Sequence, residues 1–472
     1  MGFDFLDFGF PKSGTDWKSI NGKPYITVSS KGRSNGLSTK INDGADFGPD
    51  TTQGATSPNQ VGSPYSNTGG LQELFNYVAT LEPIYPNNTV IGHKILIKGF
   101  IQVHADITLK YNNPEYYAIE GESLLTSGIN FLNNTRGIIL DNFPSTIEFS
   151  NLIFESNNNA SPTGENPAQA VESFISGLYT STNRNMQVVI NKCDFFAQSG
   201  YEPTKGCLYF SNPFSIIVSN GLFDTNPIAL IYGTGTSPSP QSQVSFINCW
   251  ASQGDVSISM IDTITIDDCV NIGGSNFGTS NIINLTNDYF INNNSISNNI
   301  NGVFSSATAN IINLKNTIFY VPSGTSFNLF SNPADPATIN HLSIEGVGVI
   351  DGADTITSIG ISYGSYTFAK YLNVKPILYI GTQTPTIAYP TPTTPAIPAS
   401  GTAQQNTNPY AVNVYLYEGT VTEIQITRYG TAYTVFSNAT GLAMSGQVYK
   451  LNSSDSITIT YTTAPTWNWL SD

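Results

Sequence analysis

Charged side chains are scarce in this 472-residue chain, where they make up only 11% of the residues against about 25% in a typical soluble protein. Its 33 aspartates and glutamates outnumber 18 lysines and arginines, which gives a formal net charge of −15. Nucleic-acid binding needs basic residues that neutralise phosphate, so we expect no nucleic-acid partner. Polarity comes instead from neutral Asn, Ser and Thr, and a surface of these side chains changes little as pH falls. A carboxylate-rich surface would instead lose its charge below about pH 4. We therefore expect an acidic extracellular setting.

Long apolar runs are also missing. No stretch approaches the roughly 18 consecutive apolar residues of a membrane-spanning helix, so we expect no membrane span. The N-terminal residues show neither the basic region nor the apolar core of a signal peptide, which suggests an unusual export route or release by lysis. The chain has 3 histidines, well separated, and 4 cysteines without a CxxC pair. This pattern predicts neither a zinc site nor a cofactor.

Eight short segments share one pattern of alternating apolar residues. We mark each segment by its second apolar residue, which gives the markers Phe149, Ile190, Val218, Phe246, Ile266, Leu285, Leu314 and Ile344. Their spacings are 41, 28, 28, 20, 19, 29 and 30 residues, and recurrence at such intervals is typical of solenoid proteins. Alternation with period two predicts a strand in each segment. The strands are therefore predicted to stack in parallel, one per coil, so that the markers form apolar columns.

Asparagine follows the marker by two residues in five of the eight segments, and aspartate does so in a sixth: Asn151, Asn220, Asn248, Asn287, Asn316 and Asp268. Asparagine tolerates the left-handed backbone conformation and bonds nearby backbone groups, so this column is predicted to turn a corner in each coil. Stacked amides can also bond one another. The alternative is an antiparallel β-sandwich in which the asparagines reflect only an Asn-rich composition.

The layout of apolar pairs, corner asparagines and variable loops resembles a right-handed parallel β-helix of the pectate-lyase type, over roughly residues 88–380. The resemblance and the repeats together predict an all-β fold class. They predict a right-handed parallel β-helix (solenoid) with one N-terminal capping helix, followed by a small C-terminal β-sandwich-like domain. Leu71, Leu74, Phe75, Val78 and Leu81 recur at helical spacing, which predicts that the capping helix spans residues 67–81.

Composition divides the chain into four predicted parts. Residues 1–66 are an extended N-terminal arm, residues 67–381 the β-helix with its capping helix, residues 382–402 a Pro/Thr-rich linker and residues 403–472 a small β-sandwich domain. Stretches that begin at Pro395 and Ile457 resemble the small C-terminal β-domains of structural proteins from tailed phages and archaeal viruses. This resemblance implies a protein similar to a spike or tail fibre on the virion surface of a virus of thermoacidophilic archaea. It also implies other virion proteins as partners and a possible homotrimer.

The four cysteines are Cys193, Cys207, Cys249 and Cys269. Three of them fall three residues after a marker, and Cys249 and Cys269 are expected to lie close together on consecutive coils. Free cysteine behaves as a small apolar residue, so buried free thiols are one interpretation. A Cys193–Cys207 disulfide is the other.

Catalysis by glycoside hydrolysis needs two carboxylates about 5 to 9.5 Å apart, which means the same or neighbouring coils. Among the outward positions beside the markers, Glu148, Asp267 and Glu345 belong to the first, fifth and eighth segments, too far apart to cooperate. We therefore predict no catalytic residue on this face, while a site on loops or between subunits stays open. Three aspartates are candidates for a cation site: Asp262, Asp267 and Asp268.

Four aromatic residues near the C-terminus are candidate binding residues. Alternation in the strand that begins at Val412 turns Tyr415 and Tyr417 outward, and Trp467 and Trp469 share a face. Exposed aromatics stack on sugars or fill protein interfaces; alternatively, these four pack on the linker or on the end of the β-helix. We predict a structural protein that attaches to a host by binding a cell-surface glycan or protein. A glycan-depolymerising hydrolase or lyase and a cellular surface-layer or adhesin protein are the alternatives.

Overall fold

A computed structural model describes residues 25–31, 45–58, 60–80, 93–109, 116–132, 136–141, 146–156, 171–178, 186–198, 200–235, 238–252, 254–291, 304, 309–322, 326–329, 337–360, 366–388, 392, 394–408, 411–452 and 454–471. The chain folds into two compact units. The first comprises Met1–Asn298 and Thr317–Pro322, and the second comprises Asn299–Asn316 and Ser323–Asp472.

The first sheet of the first unit is a stack of parallel strands, one from each coil. In stacking order they are Ile26–Ser29, His93–Lys98, Tyr116–Gly121, Thr146–Ser150, Gln187–Asn191, Ser215–Ser219, Ser239–Ile247, Ile261–Asp267 and Ser280–Thr286. The markers of this unit lie in register from Phe149 to Leu285, and all are buried. The predicted parallel stack is thereby confirmed.

Two further parallel sheets complete the coils between His93 and Phe277. The second sheet contains Phe100–Val103, Gly128–Phe131, Ile153–Ser156, Asp194–Ala197, Leu222–Asp224, Trp250–Ala251, Val270–Phe277, Tyr289–Ile291 and Ile318–Val321. The third contains Ile107–Thr108, Ile138–Ile139, Ile175–Leu178, Leu208–Ser211, Ala229–Tyr232 and Asp255–Ser259, and it also pairs with the later residues of Val270–Phe277. Three strands per coil, all parallel to those of the next coil, define a parallel β-helix.

The corner after the first sheet has a left-handed backbone in successive coils. In the first unit φ is 54° at Asn151, 54° at Asn220, 51° at Asn248 and 58° at Asn287. The amides form a ladder, since Asn248 Nδ2 donates a hydrogen bond to Asn220 Oδ1 at 2.7 Å and Asn220 Nδ2 donates one to Asn191 Oδ1 at 3.0 Å. The predicted corner role of the asparagine column is observed, and Asn248 and Asn220 show the predicted bonding between stacked corner amides.

Phenylalanines fill the interior behind the second sheet. The ring centroids of Phe154 and Phe195 lie 5.0 Å apart, those of Phe195 and Phe223 lie 4.9 Å apart, and both pairs are stacked. These residues are in register on three consecutive coils and buried. They fix the inner face of the second sheet and so determine which of its residues point outward.

The helix of the first unit spans Leu71–Val78 and buries its apolar face. Gln72 Oε1 accepts a hydrogen bond from Thr108 N at 2.7 Å, and Gln72 Nε2 donates one to Thr108 O at 3.0 Å. The helix thus satisfies backbone groups of a third-sheet strand, as a cap does; Leu81 lies outside the described residues. Residues Ile26–Ser29, assigned above to an extended arm, instead pair in parallel with His93–Lys98 in the first sheet. Within the described part of the chain, no helix is long and apolar enough to cross a membrane.

The second unit contains further coils. Its parallel strands are Ala309–Lys315, Ala337–Glu345 and Tyr366–Val374; Gly348–Asp351 and Leu378–Ile380; and Ser326–Asn328, Ser358–Gly360 and Thr386–Ala388. The markers Leu314 and Ile344 lie in register with each other. The corner residues Asn316 and Gly346 have φ angles of 51° and 64°, so the corner geometry is the same as in the first unit.

The C-terminal residues form a five-stranded antiparallel sheet of Ala403–Gln405, Val412–Arg428, Thr431–Leu451, Ser456–Thr463 and Thr466–Ser471. Val412–Arg428 pairs with Thr431–Leu451 along one edge, and along the other with Thr466–Ser471 and then Ser456–Thr463. The pairing is irregular near Glu418, where φ is 57°. Residues from both halves of the long strand share one buried core.

Candidate functional site

A groove of about 250 Å³ lies on the outer face of the second sheet, and we call it the acidic groove. It is lined by Phe100, Ile153, Glu155, Asp194, Phe195, Phe196, Leu222 and Asp224. Because side chains alternate along a strand, the buried column of Phe154, Phe195 and Phe223 turns the residues on either side of each phenylalanine toward solvent. The fold therefore places three carboxylates and several apolar side chains together on one outer surface.

The three carboxylates come from three consecutive coils. On the middle strand, Phe196 is paired with Glu155 on one side and Asp224 on the other, and Asp194 lies two residues before Phe196. Strands about 4.8 Å apart and a rise of about 3.3 Å per residue place the Cα of Asp194 about 8 Å from those of Glu155 and Asp224. Side chains that start this close together on one face can bring their carboxyl groups within the roughly 5 to 9.5 Å that separates the paired carboxylates of glycoside hydrolases, so the arrangement is compatible with general acid–base chemistry.

Asp194 and Asp224 differ in their surroundings. Burial raises the pKa of Asp194, and this favours the protonated form that a general acid needs. Asp224 Oδ1 instead accepts a hydrogen bond of 2.6 Å from Ser252 Oγ, which orients the carboxylate. None of the residues that line the acidic groove in the described structure is basic. The groove is therefore suited to neutral or cationic ligands rather than to anions.

An apolar column continues from the acidic groove along the axis of the coils, and we call it the outer stripe. Leu222, Trp250, Val270, Tyr289 and Ile318 lie in register on successive strands of the second sheet and form this stripe. Trp250 is 43% exposed, and Phe196 in the groove is 39% exposed. At about 4.8 Å per strand, the stripe extends over about 19 Å. A chain of partly exposed aromatic and aliphatic side chains of this size is typical of an interaction surface.

The C-terminal aromatic residues predicted to bind do not share one surface. The rings of Tyr415 and Tyr417 are stacked with centroids 6.5 Å apart, and Tyr417 is 41% exposed. Trp467 and Trp469 are only 9% and 2% exposed and belong to the buried core. They point inward because the register pairs them with the buried strand residues Leu416 and Val414.

The exposed position expected for the two tryptophans was therefore wrong. Trp467 Nε1 donates a hydrogen bond of 2.7 Å to the carbonyl oxygen of Pro395, and Trp469 N donates one of 3.0 Å to Thr394 Oγ1. Both contacts are with the predicted linker, as in the alternative considered above. The outward direction of Tyr415 and Tyr417 agrees with the sequence, while their role in binding stays a prediction.

The cation site proposed at Asp262, Asp267 and Asp268 is not formed. Asp262 and Asp267 are five residues apart in one strand, which separates them by about 16 Å at 3.3 Å per residue. Asp268 occupies the left-handed corner with φ 54°. Among the described residues, no group of three His, Cys, Asp or Glu side chains could hold a metal ion.

Sequence reasoning missed the acidic groove because it searched only the outward positions of the first sheet. A second periodic signal was present. Phe154, Phe195 and Phe223 each follow a marker by five residues, and this recurrence identifies another inward column. The residues beside that column are the groove residues.

Comparisons with known proteins find matches among solved structures. No known protein family matches the chain, and no curated protein matches it. Among solved structures, the tailspike protein of Acinetobacter phage vB_ApiP_P1 is similar with a TM-score of 0.30 and 9% identity, over 89% of this chain and 91% of that one. The enzymatically active domain of tailspike protein 4 of bacteriophage CBA120 has a TM-score of 0.27 and 13% identity, over 95% and 78%. The parallel strand pairing described above defines the fold.

Proposed function

We propose that this protein is a surface spike or fibre that attaches to a host cell by binding a glycan in the acidic groove and along the outer stripe. The observation that carries the proposal is the continuity of the two surfaces, since Leu222 belongs to both. Apolar and aromatic side chains pack against the apolar faces of sugar rings. Carboxylates accept hydrogen bonds from sugar hydroxyls.

The location on a virion rests on the resemblance of the C-terminal residues to β-domains of viral structural proteins. Other virion proteins as partners and a homo-oligomeric assembly belong to the same proposal. A cellular surface-layer or adhesin protein is the competing location. Labelling with an antibody would separate the two, since the proposal expects the protein on purified particles and the alternative expects it on the envelope of uninfected cells.

Binding to glycans purified from the host envelope tests the proposed site. We expect Trp250→Ala to weaken binding about tenfold, because losing an aromatic contact of about 1 to 1.5 kcal/mol changes the dissociation constant by that factor. Tyr429→Ala is the matched control, since Tyr429 is a fully exposed aromatic at a C-terminal turn. If the two variants bind the glycan with equal affinity, the outer stripe is not part of the binding site. If Tyr415→Ala with Tyr417→Ala abolishes binding instead, the C-terminal tyrosines are the site.

A second candidate function is hydrolysis of the bound glycan, and the spacing of Glu155, Asp194 and Asp224 favours it. Asp194, with its raised pKa, would donate a proton to the glycosidic oxygen. Either of the other two carboxylates would accept a proton from an attacking water on the opposite side of the sugar. A separation of about 6.5 to 9.5 Å between carboxyl groups leaves room for that water and corresponds to inversion at the anomeric carbon, and Cα atoms about 8 Å apart are compatible with it.

Release of reducing ends from a glycan that binds is the test of hydrolysis. We expect Asp194→Asn to abolish release while the glycan still binds, because the amide cannot donate the proton that the leaving group needs. Asp262→Asn, which changes an aspartate of the first sheet, is the control and is expected to leave the rate unchanged. If the unmodified protein binds the glycan tightly but releases no reducing ends from it, hydrolysis is rejected and attachment remains the proposed function.

A further inference from the structure

Two buried cysteines occupy the same position on consecutive coils. Cys249 and Cys269 each follow a marker by three residues, and the strands before them pair Phe246 with Ile266 and Ile247 with Asp267. The register continues past the corner, where Val270 N donates a hydrogen bond of 2.9 Å to Cys249 O. Parallel strands lie about 4.8 Å apart, and a disulfide needs Cα atoms about 4.4 to 6.8 Å apart. The backbone therefore already satisfies the distance requirement.

The two thiols have equivalent orientations, since Cys249 Sγ donates a hydrogen bond to Ile247 O at 3.5 Å and Cys269 Sγ donates one to Asp267 O at 3.4 Å. Their interaction with each other lowers the pKa of Cys249 and raises that of Cys269. Both side chains are buried, with Cys249 at 3% exposure. The other two cysteines have no such neighbour. On the adjacent coils Cys193 has Leu152 and Gly221 at its position, and Cys207 has Phe174 and Ile228.

We propose that Cys249 and Cys269 are a redox-active pair that oxidises to a disulfide joining two consecutive coils of the β-helix. The oxidant is a small peroxide that can reach buried sulfur. The Cys249 sulfur attacks one peroxide oxygen, the O–O bond breaks, and a sulfenic acid and water form. The Cys269 sulfur then attacks the sulfenic sulfur, an S–S bond forms, and the hydroxyl leaves with the remaining thiol proton as water. The two thiols lose two electrons, and one hydrogen peroxide gains them.

The disulfide would stabilise the stack because it restricts the unfolded chain between the two cysteines. For a loop of about 20 residues we expect the midpoint of thermal unfolding to rise by about 5 °C. The effect is reversible, since a reducing agent regenerates both thiols. The proposal is independent of ligand binding and of the acidic groove.

The test treats the full-length folded protein with hydrogen peroxide and compares it with an untreated sample. We expect the intact mass to fall by two hydrogen atoms, and cleavage at aspartate without reduction to yield a linked pair of peptides that contain Cys249 and Cys269. The Cys193→Ser, Cys207→Ser double variant is the control and keeps the linkage and the higher melting temperature. Cys249→Ser loses both.

Four titratable thiols after peroxide treatment would overturn the proposal, and so would a Cys193–Cys207 linkage or oxidation of Cys249 that stops at a sulfur acid. The peptide map of the unmodified protein gives this answer even if the Cys249→Ser variant fails to fold.

Discussion

The carboxyl group of Asp288 is predicted to make the folded protein most stable in acid. Asp288 occupies the buried position next to Cys269 on the following coil and is 2% exposed. Its Oδ1 accepts a hydrogen bond of 2.9 Å from Cys269 N. Its Oδ2 is buried with no hydrogen-bond partner in the described structure. Burial raises the pKa of Asp288 to about 8, since an ionised carboxylate at this position would lose its hydration.

The direction of this pH dependence follows from the protonation of Asp288 in the folded and the unfolded protein. Below about pH 4 the carboxyl is protonated in both the folded and the unfolded protein, and the folded state carries no penalty. Between about pH 4 and pH 8 the unfolded chain releases the proton while the folded protein retains it. The free energy of unfolding therefore falls as pH rises, by about 1.4 kcal/mol per pH unit. Across the whole window the loss from Asp288 amounts to about 5 kcal/mol.

Asp288→Asn isolates this contribution because asparagine keeps the shape and the oxygen that accepts from Cys269 N but does not titrate. We expect the variant to match the unmodified protein within about 1 kcal/mol at pH 4 and to exceed its stability at pH 8 by up to about 5 kcal/mol. Guanidinium unfolding followed by tryptophan fluorescence at pH 3 to 9 measures both, with Asp262→Asn as the control. Parallel stability curves for Asp288→Asn and the unmodified protein would refute the reasoning.

Three further outcomes are expected. Phe195→Ala leaves a cavity in the stacked phenylalanines and should cost about 3 to 5 kcal/mol of unfolding free energy, while Phe196→Ala, at a partly exposed position, should cost far less in the same denaturant titration. Asn220→Ala places a side chain that disfavours left-handed backbone at a corner with φ 54° and should cost about 1 to 2 kcal/mol; Asn220→Gly should cost less, and equal losses would contradict the backbone explanation. Among the described strands, Thr431–Leu451 pairs on one edge only and exposes Val435. We therefore expect the protein to associate as its concentration rises, which sedimentation measures, and we expect Val435→Lys to abolish the association.

The first sheet could be predicted from the sequence because its signal is local. Each marker lies in a segment of alternating residues, and the corner asparagine follows two positions later because few other side chains accept a positive φ. The third sheet could not be predicted in this way. Its first strands, Ile107–Thr108 and Ile138–Ile139, contain two residues each, too few for alternation to be recognised.

The C-terminal tryptophans show a different limit. Alternation in Thr466–Ser471 places Trp467 and Trp469 on one face, but it does not say whether that face is inside or outside. The pairing with Val412–Arg428 decides this, because Trp467 is opposite the buried Leu416. Such long-range register is absent from the local pattern. The same holds for the acidic groove, whose members Glu155, Asp194 and Asp224 are separated by 39 and 30 residues.

Because its three carboxylates are far apart in the sequence, the acidic groove depends on the register between the strands that carry them. Between Glu155 and Asp194 the chain leaves the second sheet, completes a coil and returns. Loops of different length leave the site unchanged as long as Phe195 stacks on Phe154. Because side chains alternate, a shift of one residue in Asp194–Ala197 would turn Phe196 inward and Phe195 outward, which exchanges a core ring for a groove ring. The stacked phenylalanines therefore hold the carboxylates in position. A change in these buried rings should alter glycan binding as well as stability, although no atom of Phe154 needs to touch the ligand.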